Sequence, residues 1–282
     1  MTMEFVRLEP EQRRTFDEDG FLVVRNALPA TTVAKLVESC DKLAQVFLNK
    51  PHLQGKPEYN HLDLRPGLLR ERPLFDLIAG SFAVSMVVQL LSPNIHLHST
   101  ALICKRPESR DTPPFRRGWH RDIRMPKDIG QDNMPRVGVK ICYCLTDFPD
   151  AASGMTLLAR GSHRKTGPLV LRKGGVDPAG ADLCDLTLNA GDAFLFDNRL
   201  FHTATPNLSD RVSKVLMYGY SYRWMMPEVY LEISREQFAQ ADPITYQLLG
   251  GYRDVDTPPW ALQRWAKRHG VLPEDVPWTV EA

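Results

Sequence analysis

GDAFLFDNRLFHTATPNLSDRVSKVLMYGYSY, residues Gly191–Tyr222, holds two short apolar runs, AFLFD and SKVLMYGYSY, on either side of a polar turn cluster. The same texture extends upstream to Pro93. IHLHSTALIC (Ile95–Cys104), VGVKICYCL (Val137–Leu145), MTLLA (Met155–Ala159), LVL (Leu169–Leu171) and LTLNA (Leu186–Ala190) are each bounded by turn residues. A further strand is expected to carry His120. Closely spaced short strands predict a sandwich or barrel. The chain is therefore read as mainly β with flanking helices around a jelly-roll, cupin-like core, a double-stranded β-helix. Facing sheets in such a core bring residues 80 apart, such as Asp122 and His202, to one cavity.

Outside that core the periodicity changes. Glu11–Asp19 favours a helix, and FLVVR (Phe21–Arg25) reads as a strand after a turn at Gly20. Helical spacing begins at Thr31 or Thr32, behind Pro29, and runs through Leu48. The Pro-, His-, Asn- and Gly-rich block from Asn49 to Pro66 reads as loop. Leu68–Leu91 is helical, broken near Gly80 and stopped at Pro93. After Met226 the pattern is again helical and punctuated by proline. The expected organisation is one domain over residues 1–282: a helical N-terminal region over residues 1–92, the jelly roll from about 93 to 225, and a helical tail over residues 226–282. No internal repeat is visible.

Within the core, GWHRD (Gly118–Asp122) and FHTATPNLSDR (Phe201–Arg211) carry the chemistry. His120 and Asp122 share one face of a strand, because side chains repeat every second residue. His202, from a distant strand, completes a face of three ligands. Two histidines and one carboxylate with open positions are the mark of non-haem Fe(II) oxygenases. The same set can also hold zinc with an open position. Arg211, nine residues after His202, suits a carboxylate-bearing co-substrate through its planar fork. His61-Leu62-Asp63 repeats the motif, but it falls in the loop-like block and reads as a solvated polar loop, with a lid over the site as its functional alternative.

Composition narrows the partners. The 282 residues include 35 basic and 34 acidic side chains, for a net charge of +1. That balance gives no reason to expect nucleic acid or a membrane surface. The N-terminus lacks the apolar core of a signal peptide, and no apolar run approaches the roughly 18 residues of a spanning helix. The five cysteines, without CxxC spacing, argue against a disulfide framework or zinc site and read as reduced core residues of a cytoplasmic protein.

Taken in order along the chain, the motifs resemble the phytanoyl-CoA dioxygenase family of Fe(II)- and 2-oxoglutarate-dependent oxygenases. EDGFLVVRNAL (Glu18–Leu28), GWHRD, SGMTLLARGSHR (Ser153–Arg164), GDAFLFDNRLFHTATPNLSDR (Gly191–Arg211), YRWMMP and QLLG carry the likeness. The resemblance implies that His120, Asp122 and His202 bind Fe(II) and act in catalysis. It implies that Arg211 holds the distal carboxylate of 2-oxoglutarate, with dioxygen as the second co-substrate. The implied reaction hydroxylates an unactivated C–H of a small molecule, or desaturates, epoxidises or cyclises it, releasing succinate and carbon dioxide. Asp122 stands where a halogenating relative would carry Ala or Gly. The alternatives are a non-catalytic jelly-roll binding module and a different metal-dependent enzyme. There are departures from the family pattern. Ala204 stands where many relatives place a hydroxyl; Thr203 or Thr205 is the candidate substitute, and Thr203 is counted with the co-substrate contacts. Arg121 and Arg160 replace an uncharged polar residue and a proline.

Other residues carry two readings each. Lys105, at a strand end, is a surface lysine or a second cation for the co-substrate carboxylate. Lys140, inside an apolar strand, either snorkels outward or lines the pocket. Trp119, Trp224, Met225 and Met226 wall a substrate pocket or pack in the core. His163 reads as structural, with a ligand role as its alternative. Arg116, Arg117, Arg121, Arg124 and Lys127 either steer an anionic substrate or form a solvated basic loop. The polar segment 124–136 could cover the site.

Overall fold

The computed structural model describes residues 4–49, 61–109, 118–123, 135–150, 152–228, 232–251 and 261–271. Its N-terminal region holds helix α1 (Pro10–Asp19), strand β1 (Phe21–Val24), helix α2 (Ala30–Leu48) and strand β2 (His61–Leu64). A 3-10 turn (Leu68–Arg70), helix α3 (Arg72–Asp76), a second 3-10 turn (Leu77–Ala79) and helix α4 (Ser81–Leu90) follow. The core strands are β3 (Ile95–Lys105), β4 (Gly138–Cys144), β5 (Thr156–Ala159), β6 (Leu183–Cys184), β7 (Ala193–Asp197), β8 (His202–Ala204) and β9 (Ser213–Tyr222). Helices α5 (Arg235–Gln240), α6 (Pro243–Leu248) and α7 (Ala261–Arg268) close the described chain.

Two antiparallel sheets face each other as a jelly roll. The larger runs β1-β7-β4-β9-β3-β2 and the smaller β6-β5-β8. Between them lies an apolar layer that includes Cys142, Cys144, Met155, Leu158, Phe194 and Val215. Strand alternation explains the cysteines: Cys142 and Cys144 share the inward face of β4. The helices pack on the other face of the large sheet, where Ile141, Tyr143, Tyr218 and Tyr220 meet Leu36, Ile78 and Val84 in one cluster. Two buried tyrosines fix that layer. Tyr218 donates to the Leu74 carbonyl at 2.6 Å, and Tyr220 to the Ile78 carbonyl at 2.8 Å. The last turn of α1 needs Gly20 (φ 84°), because a Cβ there would meet His163 Nδ1 at 2.4 Å. His163 itself is buried and its Nε2 bonds the Asp17 carbonyl, which is the structural role expected of it.

Several expectations are corrected. His61–Leu64 is not loop: it adds an edge strand to the large sheet, with His61 opposite Lys105 and Leu64 opposite Leu102. Leu62 and Leu64 are buried while Asp63 is exposed, a four-residue alternation that the surrounding polar residues obscured. Since β1 and β2 both join the core sheet, the N-terminal region is not purely helical. Among the described residues, LVL makes only an isolated bridge, Leu171 to Pro178, and LTLNA only the Phe148–Leu188 bridge. The strand in that region is β6. The Arg72–Leu90 stretch is long and apolar enough to cross a membrane by composition, yet 61% of it is buried inside the protein. It is a core segment broken at Gly80.

Candidate metal centre

His120 and Asp122 do not lie on a strand, as the spacing had suggested. Their segment is held by three backbone bonds instead of a ladder. His120 N–H donates to the His202 carbonyl at 3.1 Å and His202 N–H returns the bond at 3.0 Å, forming an isolated bridge. Asp122 N–H donates to the Asn198 carbonyl at 3.1 Å. Asn198 is anchored in turn, because its Oδ1 accepts from Gly138 N–H at 3.1 Å and Val137 N–H at 3.3 Å. The turn after β7 thus carries both His202 and the register of Asp122. The i, i+2 spacing still turns both side chains of the motif to one side.

The ligand atoms of His120, Asp122 and His202 lie within 4.8 Å of one another. His202 Nε2 is 3.7 Å from Asp122 Oδ1, and the two imidazole centroids are 4.3 Å apart. Each imidazole is fixed by its own chain. His120 Nδ1 bonds the Gly118 carbonyl at 2.7 Å, and His202 Nδ1 bonds the Leu200 carbonyl at 2.9 Å. A carbonyl only accepts, so both Nδ1 atoms carry the proton and both Nε2 lone pairs are left for a ligand. Such second contacts orient metal-binding histidines. Burial pushes His202 down to about 4, against the pull of Asp122, so it is the neutral, ligating form. Burial would raise the Asp122 carboxyl, but Lys140 and the two imidazoles outweigh it and bring it down to about 2. The donor set fits a divalent transition metal with positions left open.

Beside the trio, a cavity against β3, β4 and β9 of the large sheet is lined by Asp122, Lys140, His98, Met225 and Glu228. His98 reaches it because the β3–β9 register shifts between Leu97 and Ser99, a bulge that re-aims its side chain. Its Nε2 is 4.0 Å from Glu228. Lys140 does not snorkel outward. Its Nζ is 2.8 Å from Asp122 Oδ2.

The co-substrate candidates separate. Lys105 is no surface lysine. It is 3% exposed and donates to the Gly154 and Thr205 carbonyls at 2.7 and 2.8 Å. Burial lowers it to about 8. Its ammonium thus bridges the end of the large sheet to the strand that begins at His202. Arg211 is not brought to the trio. Its side chain is 65% exposed, 3.8 Å from Asp210, at the rim of a surface depression with Thr146 and Asp147. It precedes β9, whose Gly219, eight residues on, lines the cavity by Asp122. Thr203 is also turned away. Alternation along β8 puts it on the face opposite His202, and its buried hydroxyl donates to the Ala204 carbonyl at 3.4 Å.

Of the remaining candidates, Met225 lines the cavity, whereas Trp224 and Met226 are exposed and Trp119 donates to the Val176 carbonyl. Arg121 is buried over the Phe201 ring and donates to the Ser162 and Lys165 carbonyls. It is therefore a structural cation. Arg116, Arg117, Arg124, Lys127 and segment 124–134 lie outside the described residues. The second His-x-Asp is spent elsewhere, since Asp63 pairs with Arg65 at 2.9 Å. Arg160 bridges Asp19 and Asp182. The sequence reading missed Asn198 and the pairing of Lys140 with Asp122. A lysine alternating inward with Cys142 and Cys144 was the available signal.

Two histidines and a carboxylate brought together on a jelly-roll scaffold fit a non-haem metal oxygenase site. A family model described as phytanoyl-CoA dioxygenase matches residues 16–215, more than half of the chain. The chain belongs to the phytanoyl-CoA dioxygenase family and is an Fe(II)- and 2-oxoglutarate-dependent dioxygenase. It is 26% identical over 225 residues to the ectoine dioxygenase of Nocardia farcinica (strain IFM 10152), covering 71% of this chain and 73% of that one. Its fold is similar to that of HygX from Streptomyces hygroscopicus, solved with nickel and 2-oxoglutarate bound. There the TM-score is 0.61 at 18% identity, covering 78% of this chain and 89% of HygX. It is similar too to the carbocyclase SnoK from nogalamycin biosynthesis, described as non-heme and alpha-ketoglutarate dependent. That comparison gives a TM-score of 0.60 at 18% identity, over 79% of this chain and 88% of SnoK.

Proposed function

We propose that this dioxygenase oxidises an unactivated C–H of a small molecule, most simply to the alcohol, while 2-oxoglutarate is converted to succinate and carbon dioxide. The observation that carries this is the trio His120, Asp122 and His202, whose ligand atoms lie within 4.8 Å of one another, with both Nδ1 atoms tied to carbonyls and His202 Nε2 3.7 Å from Asp122 Oδ1. Those three side chains would hold the iron. When bound with 2-oxoglutarate and dioxygen, the iron supplies the oxidising chemistry. A relative named for ectoine and a structural neighbour solved with hygromycin B support a small-molecule substrate. The substrate enters the cavity by Asp122, where His98 and Glu228 offer it polar contacts and Met225 an apolar one. The five free, buried cysteines fit a reducing, cytoplasmic location.

For the distal carboxylate of 2-oxoglutarate we favour Lys105 over Arg211. The lysine is buried between the sheets and has three donors, two of them engaged with carbonyls. Arg211 lies at the surface, where a fork gains little from a solvated carboxylate. Titration of the Fe(II) protein with 2-oxoglutarate separates the two. Lys105→Met is expected to weaken binding by about 10- to 100-fold, the range for lost partners around a metal site. Arg211→Ala is expected to leave it within about twofold. The reverse result would return the carboxylate to Arg211. Succinate formation should require Fe(II) and dioxygen; activity supported by zinc without 2-oxoglutarate would overturn the dioxygenase reading.

A further inference from the structure

The two oxygens of Asp122 have different neighbours. Oδ1 is 3.7 Å from His202 Nε2. Oδ2 is 2.8 Å from the ammonium of Lys140. Lys140 is positioned for that contact by its strand. It stands opposite Gly219 on β9 and Phe196 on β7. Gly219 has no side chain to compete for the space, and a Cβ there would meet Ser99 Oγ at 2.4 Å. The Phe196 ring lies 5.8 Å from Nζ and covers the other side. With side chains 17% and 21% exposed, the pair is largely shielded from water, where an ion pair is stronger than at the surface.

We propose that Lys140 is a positioning residue that holds Oδ2 of Asp122, so that the carboxylate presents one oxygen, Oδ1, to the metal. The inference rests on the metal reading of the trio. A carboxylate turns about its last torsion through a broad, roughly two-fold profile, so an unrestrained Asp122 could present both oxygens. Two oxygens would fill a position that the co-substrate needs. Lys140 prevents this with one charge-assisted bond from the large sheet. The same ammonium offsets negative charge that gathers when a dianionic co-substrate joins Asp122.

Cobalt(II) tests the inference, because the shape and intensity of its visible bands report coordination number without turnover. Apo-protein is titrated anaerobically with cobalt(II), first alone and then with 2-oxoglutarate, for wild type, Lys140→Met and Lys140→Arg. Lys140→Met is expected to bind cobalt(II) with a changed band shape, and to bind 2-oxoglutarate at least about tenfold more weakly. Lys140→Arg, which keeps the donor and the charge, is expected to restore the wild-type spectrum. An unchanged band shape in Lys140→Met overturns the inference even where affinity falls, since lost charge alone accounts for that. No cobalt band in wild type overturns the metal reading and this inference together. If Lys140→Met loses its near-ultraviolet circular dichroism, Lys140→Gln is read in its place. Loss of fold in both variants overturns the inference in favour of a purely structural ion pair.

Discussion

Alanine at His120 is expected to abolish Fe(II) binding and turnover while the protein stays folded. His120 is exposed, and its ring touches His202 but belongs to neither apolar cluster. Truncation should therefore change stability by about the ±0.5 kcal/mol typical of surface sites. The loss of function should exceed the roughly 100-fold that outer partners of a metal cost, because a ligand atom itself is gone. Asp122→Ala should do the same to function, with a further cost from leaving the Lys140 ammonium unpaired. His202→Ala should lower stability more, since its ring packs against Phe196 with centroids 4.6 Å apart. Metal content after dialysis and thermal unfolding, measured on the same preparations, separate the two effects. Full metal content with full activity in His120→Ala would sink the assignment.

The largest expected effect on stability lies one residue before Asn198. Asp197 is fully buried, and its carboxylate holds two arginines. Oδ2 accepts from Arg136 Nε at 2.8 Å and from Arg199 Nη2 at 2.6 Å, while Oδ1 accepts from the Arg199 amide at 2.9 Å. Arg136 continues to Asp17 on α1 and to the Leu90 carbonyl at the end of α4, so one carboxylate ties the sheet to two helices. Asp197→Ala leaves two mostly buried guanidinium groups short of charge and should cost about 3–5 kcal/mol. Burial acts to raise the Asp197 carboxyl, but the arginines outweigh it and hold it below the ordinary value. The folded state therefore favours the ionised form. Its contribution is present above the unfolded value of about 4 and is lost as pH falls through the lower folded value. Denaturant unfolding of wild type and Asp197→Ala should give curves that converge in acid. A constant gap down to the lowest pH would mean that packing, not the carboxylate, carries the effect. Because the same turn carries Asn198 and His202, the variant should also bind iron more weakly.

Much of this was legible because the controlling pattern is local. The short apolar runs AFLFD and SKVLMYGYSY, bounded by turn residues, and the helical spacing from Thr31 or Thr32 to Leu48 belong to single elements that can be read without their partners. The His-x-Asp and the distant histidine were legible because ligand chemistry restricts residue type. What was hidden depends on partners far along the chain. The strand His61–Leu64 exists because β3 offers it an edge, not because its four residues announce it. Lys105 looked like a surface lysine since nothing near it in sequence shows the carbonyls of Gly154 and Thr205. Arg211 had the spacing expected of a co-substrate ligand, but the turn ahead of β9 directs it outward. Thr203 directly follows His202, and strand alternation puts it on the opposite face. Lys140 could be noticed but not interpreted until Asp122 was placed against it.

Anaerobic titration of the purified apo-protein with Fe(II) and 2-oxoglutarate is the most direct measurement of the central claim. The geometry of His120, Asp122 and His202 predicts a weak visible charge-transfer band that needs both components and is lost in His120→Ala. Folded protein that shows no such band would contradict it, and would leave the trio as the site of another metal or of no metal chemistry at all.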